Sequence, residues 1–439
     1  MKKIQDKNRG YFALKCYVDC LFKSAYRRVE YHGKENIPQD GAIIYAPNHT
    51  NTLMDALAVL AIDKQVKVFV ARADVFKQPT ILKILTFLKM LPINRIRDGR
   101  ESLAKNEEIN DIVVDVLRDK VPFCILPEGK HRTKHSLMPL QKGLFRIALQ
   151  ANDTFGSEMP VYIVPVGIEF GHFFRYRSSL LLQIGEPINV SQFIKEHPEL
   201  NLPQQQINAL REDLSDRMKK MILHIPDDEN YDATFELAQL SANEQQKRLG
   251  LRKKSLQNRF TATKESIKNI VATLQSKPAE MQELLDEAGE FSRQRDTLGI
   301  GIKSVLNSHI AWSIIGKKIL FLLGLPYFIF SAIVTSPINL LFAWLGSKFE
   351  DKAFLNTVRY LAAFILLPIL FLLLGIIVVF VFSWLWGLVF ALLFLPAYFF
   401  YYDYIALTRS LLSDTKWLIH KELHKQLKKI KDLKTNLLD

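Results

Sequence analysis

Two stretches of this chain carry no Asp, Glu, Lys or Arg: Ile319 to Ser347, 29 residues, and Tyr360 to Tyr402, 43 residues. A bilayer's hydrocarbon core takes roughly 20 helical residues, so each run is long enough to enter one. The second would reach on the order of 64 Å as a single helix, which predicts two helices joined by a tight turn near Ser383 to Gly387. The first contains Pro326 and Pro337 and reads as one tilted span or as a helical hairpin. Lys317 and Lys318 precede it, Lys348, Lys352 and Arg359 separate the runs, and Arg409 and seven lysines follow. Lys and Arg favour the cytosolic side. The flanks therefore predict that each run crosses and returns, as two hairpins, with one span plus a hairpin as the alternative.

Upstream, between Glu30 and Pro187, short apolar runs alternate with helical patterns. Strands are expected at Ala42 to Ala46, Val66 to Ala71, Leu91 to Asn94, Pro122 to Leu126, Val161 to Val166 and Leu180 to Ile184. Helices are expected at Ile81 to Leu88, Glu101 to Arg118 and Gly143 to Gln150, which makes an α/β layered domain. Ile207, Leu210, Leu214, Met218 and Ile222 line one face of a helix over Gln204 to Leu223 that can close the domain against its sheet. Asp227 to Arg295 is mostly polar and reads as a helical connector lying over the domain or along a bilayer. Tyr11 to Phe22 and the lysine-rich tail with Ile419, Leu423, Leu427 and Ile430 are amphipathic, suited either to the headgroup layer or to packing on another helix. The expected division is an N-terminal helix (1–29), a catalytic domain (30–224), a connector (225–315), membrane helices (316–404) and a basic tail (405–439).

Composition narrows this picture. About half of the 439 residues are hydrophobic and only three are cysteines, which excludes intrinsic disorder and a disulfide scaffold. Cys16, Cys20 and Cys124 form no C-x-x-C pair or zinc-type cluster, and a reducing compartment is the simplest reading. Lys15 and Asp19 interrupt the first apolar stretch, so it lacks the continuous core of a secretory signal. The +13 net charge comes without zinc-finger, ribonucleoprotein or basic-zipper signatures, so anionic membrane lipid rather than nucleic acid is the expected partner. The expected location is integral to a membrane, with the catalytic domain on the cytosolic face.

The candidate chemistry lies where strands end, the edge at which open α/β sheets bind ligands. Asn48 and His49 follow the Ala42 strand, with Asp55 six positions beyond the histidine. A regular helix does not align that spacing, so the two meet only if the loop absorbs a residue before the helix begins. A carboxylate on one ring nitrogen would leave the other to take a proton from a hydroxyl. Leu126-Pro127-Glu128-Gly129-Lys130-His131-Arg132 also leaves a strand for a loop, where a glycine and neighbouring cations suit a phosphate. Arg95 ends the Leu91 strand, and Val164-Pro165-Val166-Gly167 completes the set.

In this order the blocks resemble those of the glycerolipid acyltransferases, over about residues 30 to 190. The resemblance implies an α/β domain that moves a fatty acyl group from acyl-CoA or acyl carrier protein to a glycerol-phosphate hydroxyl, with no cofactor and no metal. It makes His49 the general base and Asp55 its orienting partner. Asn48, Arg95, Glu128 and Gly129 fall on the acceptor and phosphate side, joined by Lys130 or Arg132, and Pro165 on the acyl-donor side. Five residues separate His49 from Asp55 where most members have four. That spacing, with trailing membrane segments, is similar to the glycerol-3-phosphate and dihydroxyacetone-phosphate branch and points to glycerol-3-phosphate as acceptor. Lysophosphatidate acyltransferase activity is the alternative, followed by thioester hydrolysis or a non-catalytic scaffold.

Overall fold

The computed structural model describes residues 3–94, 100–252 and 254–438, except for the side chains of 100–105, 436 and 438. The chain divides into two compact units, Met1–Ile222 with Lys348–Tyr360, and Leu223–Ser347 with Leu361–Asp439.

The first unit runs α1 (Arg9–Ser24), β1 (Tyr26–His32), β2 (Ala42–Pro47), α2 (Leu53–Leu60), β3 (Val68–Arg72), α3 (Pro79–Phe87), β4 (Met90–Ile93) and α4 (Arg100–Arg118). It continues through β5 (Phe123–Cys124), α5 (Gly143–Phe155), β6 (Val161–Phe170), β7 (Ser178–Ile184), β8 (Ile188–Asn189), α6 (Val190–Glu196) and α7 (Pro203–Met221). One sheet has the order β1-β7-β6-β2-β5-β3-β4, with β8 on β6. Pairing is parallel except where β7 and β8 lie antiparallel to β6. The parallel pairing carries the carboxyl ends of β2, β5 and β3 to one edge.

Strand β1 departs from the expected boundary at residue 30. Its sequence, Tyr-Arg-Arg-Val-Glu-Tyr-His, is polar because it is an edge strand paired only to β7, so no apolar run marks it. Ala42, Ile44, Ala46, Val161 and Ile163 pack with α4, α5 and α7 on one face of the sheet. Ile43, Tyr45, Val164 and Val166, offset by one, point to the other face and are also buried. Strands covered on both faces read as the continuous apolar runs seen in the sequence.

Helix α7 closes the first face through Leu210, Leu214 and Met218, and Gly167 lets its end approach. A Cβ at Gly167 would lie 2.5 Å from the Met221 carbonyl oxygen. Gly167→Ala is therefore expected to destabilise this unit by about 1–3 kcal/mol, readable as a lower midpoint in thermal or denaturant unfolding.

The second unit begins with α8 (Tyr231–Arg248), α9 (Leu256–Ser276), α10 (Pro278–Thr297) and α11 (Ile302–Val305). It continues with α12 (Ile310–Gly346), α13 (Phe354–Val381), whose first turns belong to the first unit, α14 (Trp384–Ile419) and α15 (Lys421–Leu438). The expected connector is instead a helical body with its own core, in which Leu237, Ile270, Leu284 and Phe291 meet Leu423, Leu427 and Ile430 of the tail. The tail's apolar stripe is thus covered by helices. Inside this body Arg295 grips Glu236 through two 2.8 Å hydrogen bonds, Nε to Oε1 and Nη2 to Oε2.

Helices α12, α13 and α14 are each long and apolar enough to cross a membrane. Their side chains stay uncovered, as at Leu323, Phe380 and Leu392, which are 74%, 86% and 75% exposed. The second apolar run is a helical pair that reverses at Phe382–Ser383, with Phe371 against Phe394. The first run holds no turn and is one helix, which corrects the expectation of two turn-linked hairpins. It is not straight, however. From Lys317 on Asp414 to Tyr327 on the Leu393 carbonyl, α12 descends α14 in the antiparallel sense. Twelve residues of straight helix would carry it about 18 Å further, yet Asn339 bonds Tyr402, back up α14. The axis bends, and Pro326 and Pro337, which remove main-chain hydrogen bonds, are its cause.

Candidate active site

The turn from β2 into α2 builds the centre of the site. His49 Nδ1 lies 2.8 Å from Asp55 Oδ2, and the same oxygen accepts the backbone N–H groups of Thr50 at 2.8 Å and Asn51 at 2.7 Å. The extra residue in the spacing is absorbed at Thr52, which takes φ 46° and ψ −121° just before α2. A non-glycine residue at positive φ costs about 1–3 kcal/mol and persists only where its surroundings hold it. Asp55 is fully buried. Because it accepts at Nδ1, the neutral ring carries its proton there and presents a lone pair at Nε2. Nε2 makes no hydrogen bond among the described residues. That arrangement can take a proton from a hydroxyl.

The loop after β5 clamps the main chain of His49. Glu128 Oε1 accepts the His49 N–H at 2.6 Å, and Oε2 accepts that of Met138 at 2.9 Å. The Arg132 N–H donates to the His49 carbonyl at 3.1 Å. Gly129, at φ 69°, supplies the left-handed turn, with Gln141 Cγ only 3.0 Å from where a Cβ would stand. Burial pushes the Glu128 carboxyl up to about 7, against the opposing pull of its two backbone N–H groups.

Glu128→Gln keeps one acceptor oxygen but sets an amide NH2 against a backbone N–H. Activity is expected to fall about 10- to 100-fold, by the loss of one buried hydrogen bond and the resulting misplacement of His49. The burial penalty falls on the charged carboxylate. Its contribution to stability is therefore full below the unfolded value near 4.5 and lost as pH rises through about 7. The variant, uncharged throughout, should lose that component of the pH dependence in thermal unfolding between these limits.

The other sequence-predicted residues are placed less uniformly. Asn48 is a correction, since its buried amide both donates to and accepts from the main chain of Ile168 (3.1 and 2.7 Å), extending the β2–β6 pairing instead of facing an acceptor. Lys130 is exposed at the mouth of the loop. Pro165 is a buried strand residue paired with Ala46 and offers no polar side chain. Arg95 lies outside the described residues. Burial drives the Cys124 thiol upward, which makes it a poor nucleophile. Among the described residues no cluster of His, Cys, Asp or Glu could hold a metal ion.

One participant was not anticipated. His131 stands edge-on to His49, with ring centroids 5.6 Å apart, and its Nε2 meets Asp351 Oδ2 at 2.7 Å. No local motif joins residues 220 positions apart.

A family profile named Acyltransferase matches residues 28–169, the span that holds the His49–Asp55 turn and the Glu128 loop. Over 85 residues the chain is 36% identical to glycerol-3-phosphate O-acyltransferase 2 of Saccharomyces cerevisiae, covering 19% of this chain and 11% of that protein. Residues 28–169 therefore carry an acyltransferase-family domain. This chain thus spans about a tenth of the length of the curated relative it matches. Among solved structures, the 1-acyl-sn-glycerophosphate (LPA) acyltransferase PlsC of Thermotoga maritima aligns with 48% of this chain and 77% of its own, at 20% identity and a TM-score of 0.35. Within the acyltransferase domain, residues 348–360 lie far outside the matched span yet belong to the same compact unit.

Proposed function

We propose that the protein transfers a fatty acyl group from acyl-CoA or acyl carrier protein to a hydroxyl of glycerol-3-phosphate. The observation that carries this reading is the 2.8 Å contact between His49 Nδ1 and a buried carboxylate, with Nε2 left unbonded among the described residues. His49 Nε2 takes the proton of the acceptor hydroxyl as its oxygen attacks the thioester carbonyl. The tetrahedral adduct then collapses, the carbon–sulfur bond breaks, and the thiolate receives that proton from the imidazolium. Asp55 holds the ring and stabilises its charged form. Lys130, Arg132 and Arg95 are the cations offered to the acceptor's phosphate, which orients the hydroxyl.

The three apolar helices support a membrane location for this chemistry, from which an acyl product can leave into lipid, and the Lys and Arg flanks argue for its cytosolic face. Mass spectrometry of the lipid made from a panel of acceptors tests the substrate. A monoacyl glycerol phosphate from glycerol-3-phosphate supports the reading, and a diacyl product formed only from the 1-acyl acceptor would replace it with lysophosphatidate acylation.

A further inference from the structure

Residues 348–360 form a strap across the catalytic unit. Thr357 Oγ1 sits 2.6 Å from Thr52 Oγ1, at the strained turn that brings His49 to Asp55. Asn356 donates to the Phe173 carbonyl, which also accepts from Asn51 of that turn. Tyr360 donates to the Val18 carbonyl of α1 at 3.0 Å, and the Arg359 guanidinium lies over the Tyr176 ring. At its leading end the strap reaches the site. Asp351 bonds His131 Nε2, and Phe354 packs edge-on against the same ring at 5.3 Å.

Around the His131 ring stand Asp351 and Phe354 from the strap and His49 from the β2 turn, with Lys130 and Arg132 flanking it in its own loop. His131 Nδ1 makes no hydrogen bond among the described residues. The ring is thus fixed on one nitrogen and open on the other, in the same manner as His49 but without the buried carboxylate. Asp351 is half exposed, and its carboxyl is held below the usual range by the His131 hydrogen bond. With both nitrogens protonated, the imidazolium of His131 donates to Asp351 at Nε2 and can donate to an incoming phosphate at Nδ1, so that the ring's positive charge lies between two anions.

We infer that Asp351 is a positioning residue of the active site: it holds His131 beside His49 so that Nδ1 of the imidazolium form donates to the phosphate of the acceptor. This inference rests on the phosphorylated acceptor proposed above. It makes the segment between two apolar helices part of the catalytic unit's specificity, and not only a link between them.

The test uses the full-length protein in phosphatidylcholine–phosphatidylglycerol vesicles. Asp351→Asn should raise the KM for glycerol-3-phosphate about tenfold, the scale of one charge-assisted hydrogen bond, with kcat changed less than about threefold and the donor KM unmoved. Asp351→Glu should restore most of the acceptor affinity. In a His131→Gln background, the Asp351→Asn change should have no further effect, because the carboxylate acts through that ring. An unchanged acceptor KM would overturn the inference. So would a fall in kcat alone, or full additivity of the two substitutions. Calorimetric binding of inorganic phosphate separates this from the proposed reaction. Weaker phosphate binding in Asp351→Asn than in wild type upholds the inference even if no lipid is made, and equal binding overturns it even if lipid is made.

Discussion

Replacing His49 by Ala is expected to lower acyl transfer by about a hundred- to ten-thousand-fold, the usual worth of a general base, while leaving the protein folded. The geometry explains why the two effects separate. Among the described residues the imidazole makes one side-chain hydrogen bond, to Asp55, and the backbone N–H and C=O of residue 49 are held by Glu128 and Arg132 whatever its side chain. Asp55 retains the N–H groups of Thr50 and Asn51, so no buried charge loses all of its partners. Initial rates with saturating donor and acceptor, beside an unchanged unfolding midpoint, check both halves.

Asp55→Ala is expected to remove both activity and stability. A single carboxylate oxygen takes three donors at 2.7 to 2.8 Å in a fully buried position. Without it, two main-chain N–H groups are left buried and unpaired, at about 1–3 kcal/mol each. The positive-φ backbone at Thr52 loses part of what holds it. A loss of about 2–5 kcal/mol in denaturant unfolding, with transfer no higher than in the His49→Ala protein, is the expected result. Asp55→Asn retains an accepting oxygen and should keep most of the stability. It no longer fixes the Nδ1–H tautomer, so activity should still fall by on the order of 10³- to 10⁴-fold.

The site was legible where its residues are close in sequence. His49 and Asp55 follow a fully buried strand, and the Glu128 loop follows another, so apolar runs announced the positions and polar residues after them announced the chemistry. What stayed hidden depends on distance along the chain. Asp351 reads as one charge among Lys348, Lys352 and Arg359, and only the fold brings it to His131. Leu423, Leu427 and Ile430 make a stripe that fits a headgroup layer as well as a helix, and it is α8, α9 and α10, about 150 residues earlier, that cover it. Asn48 fits an acceptor site by type, but an amide that completes a strand pairing gives no local sign of doing so. The prolines of α12 marked a bend rather than a turn, since a helix can absorb a missing hydrogen bond by kinking.

Incubating the vesicle-bound protein with a labelled acyl donor, with and without glycerol-3-phosphate, tests most directly whether the His49–Asp55 pair activates the acceptor's hydroxyl. The account predicts labelled lipid only when the acceptor is present, and almost none from the His49→Ala protein under the same conditions. Label released as free fatty acid regardless of the acceptor, or lipid made at the wild-type rate by the protein lacking the imidazole, would contradict it.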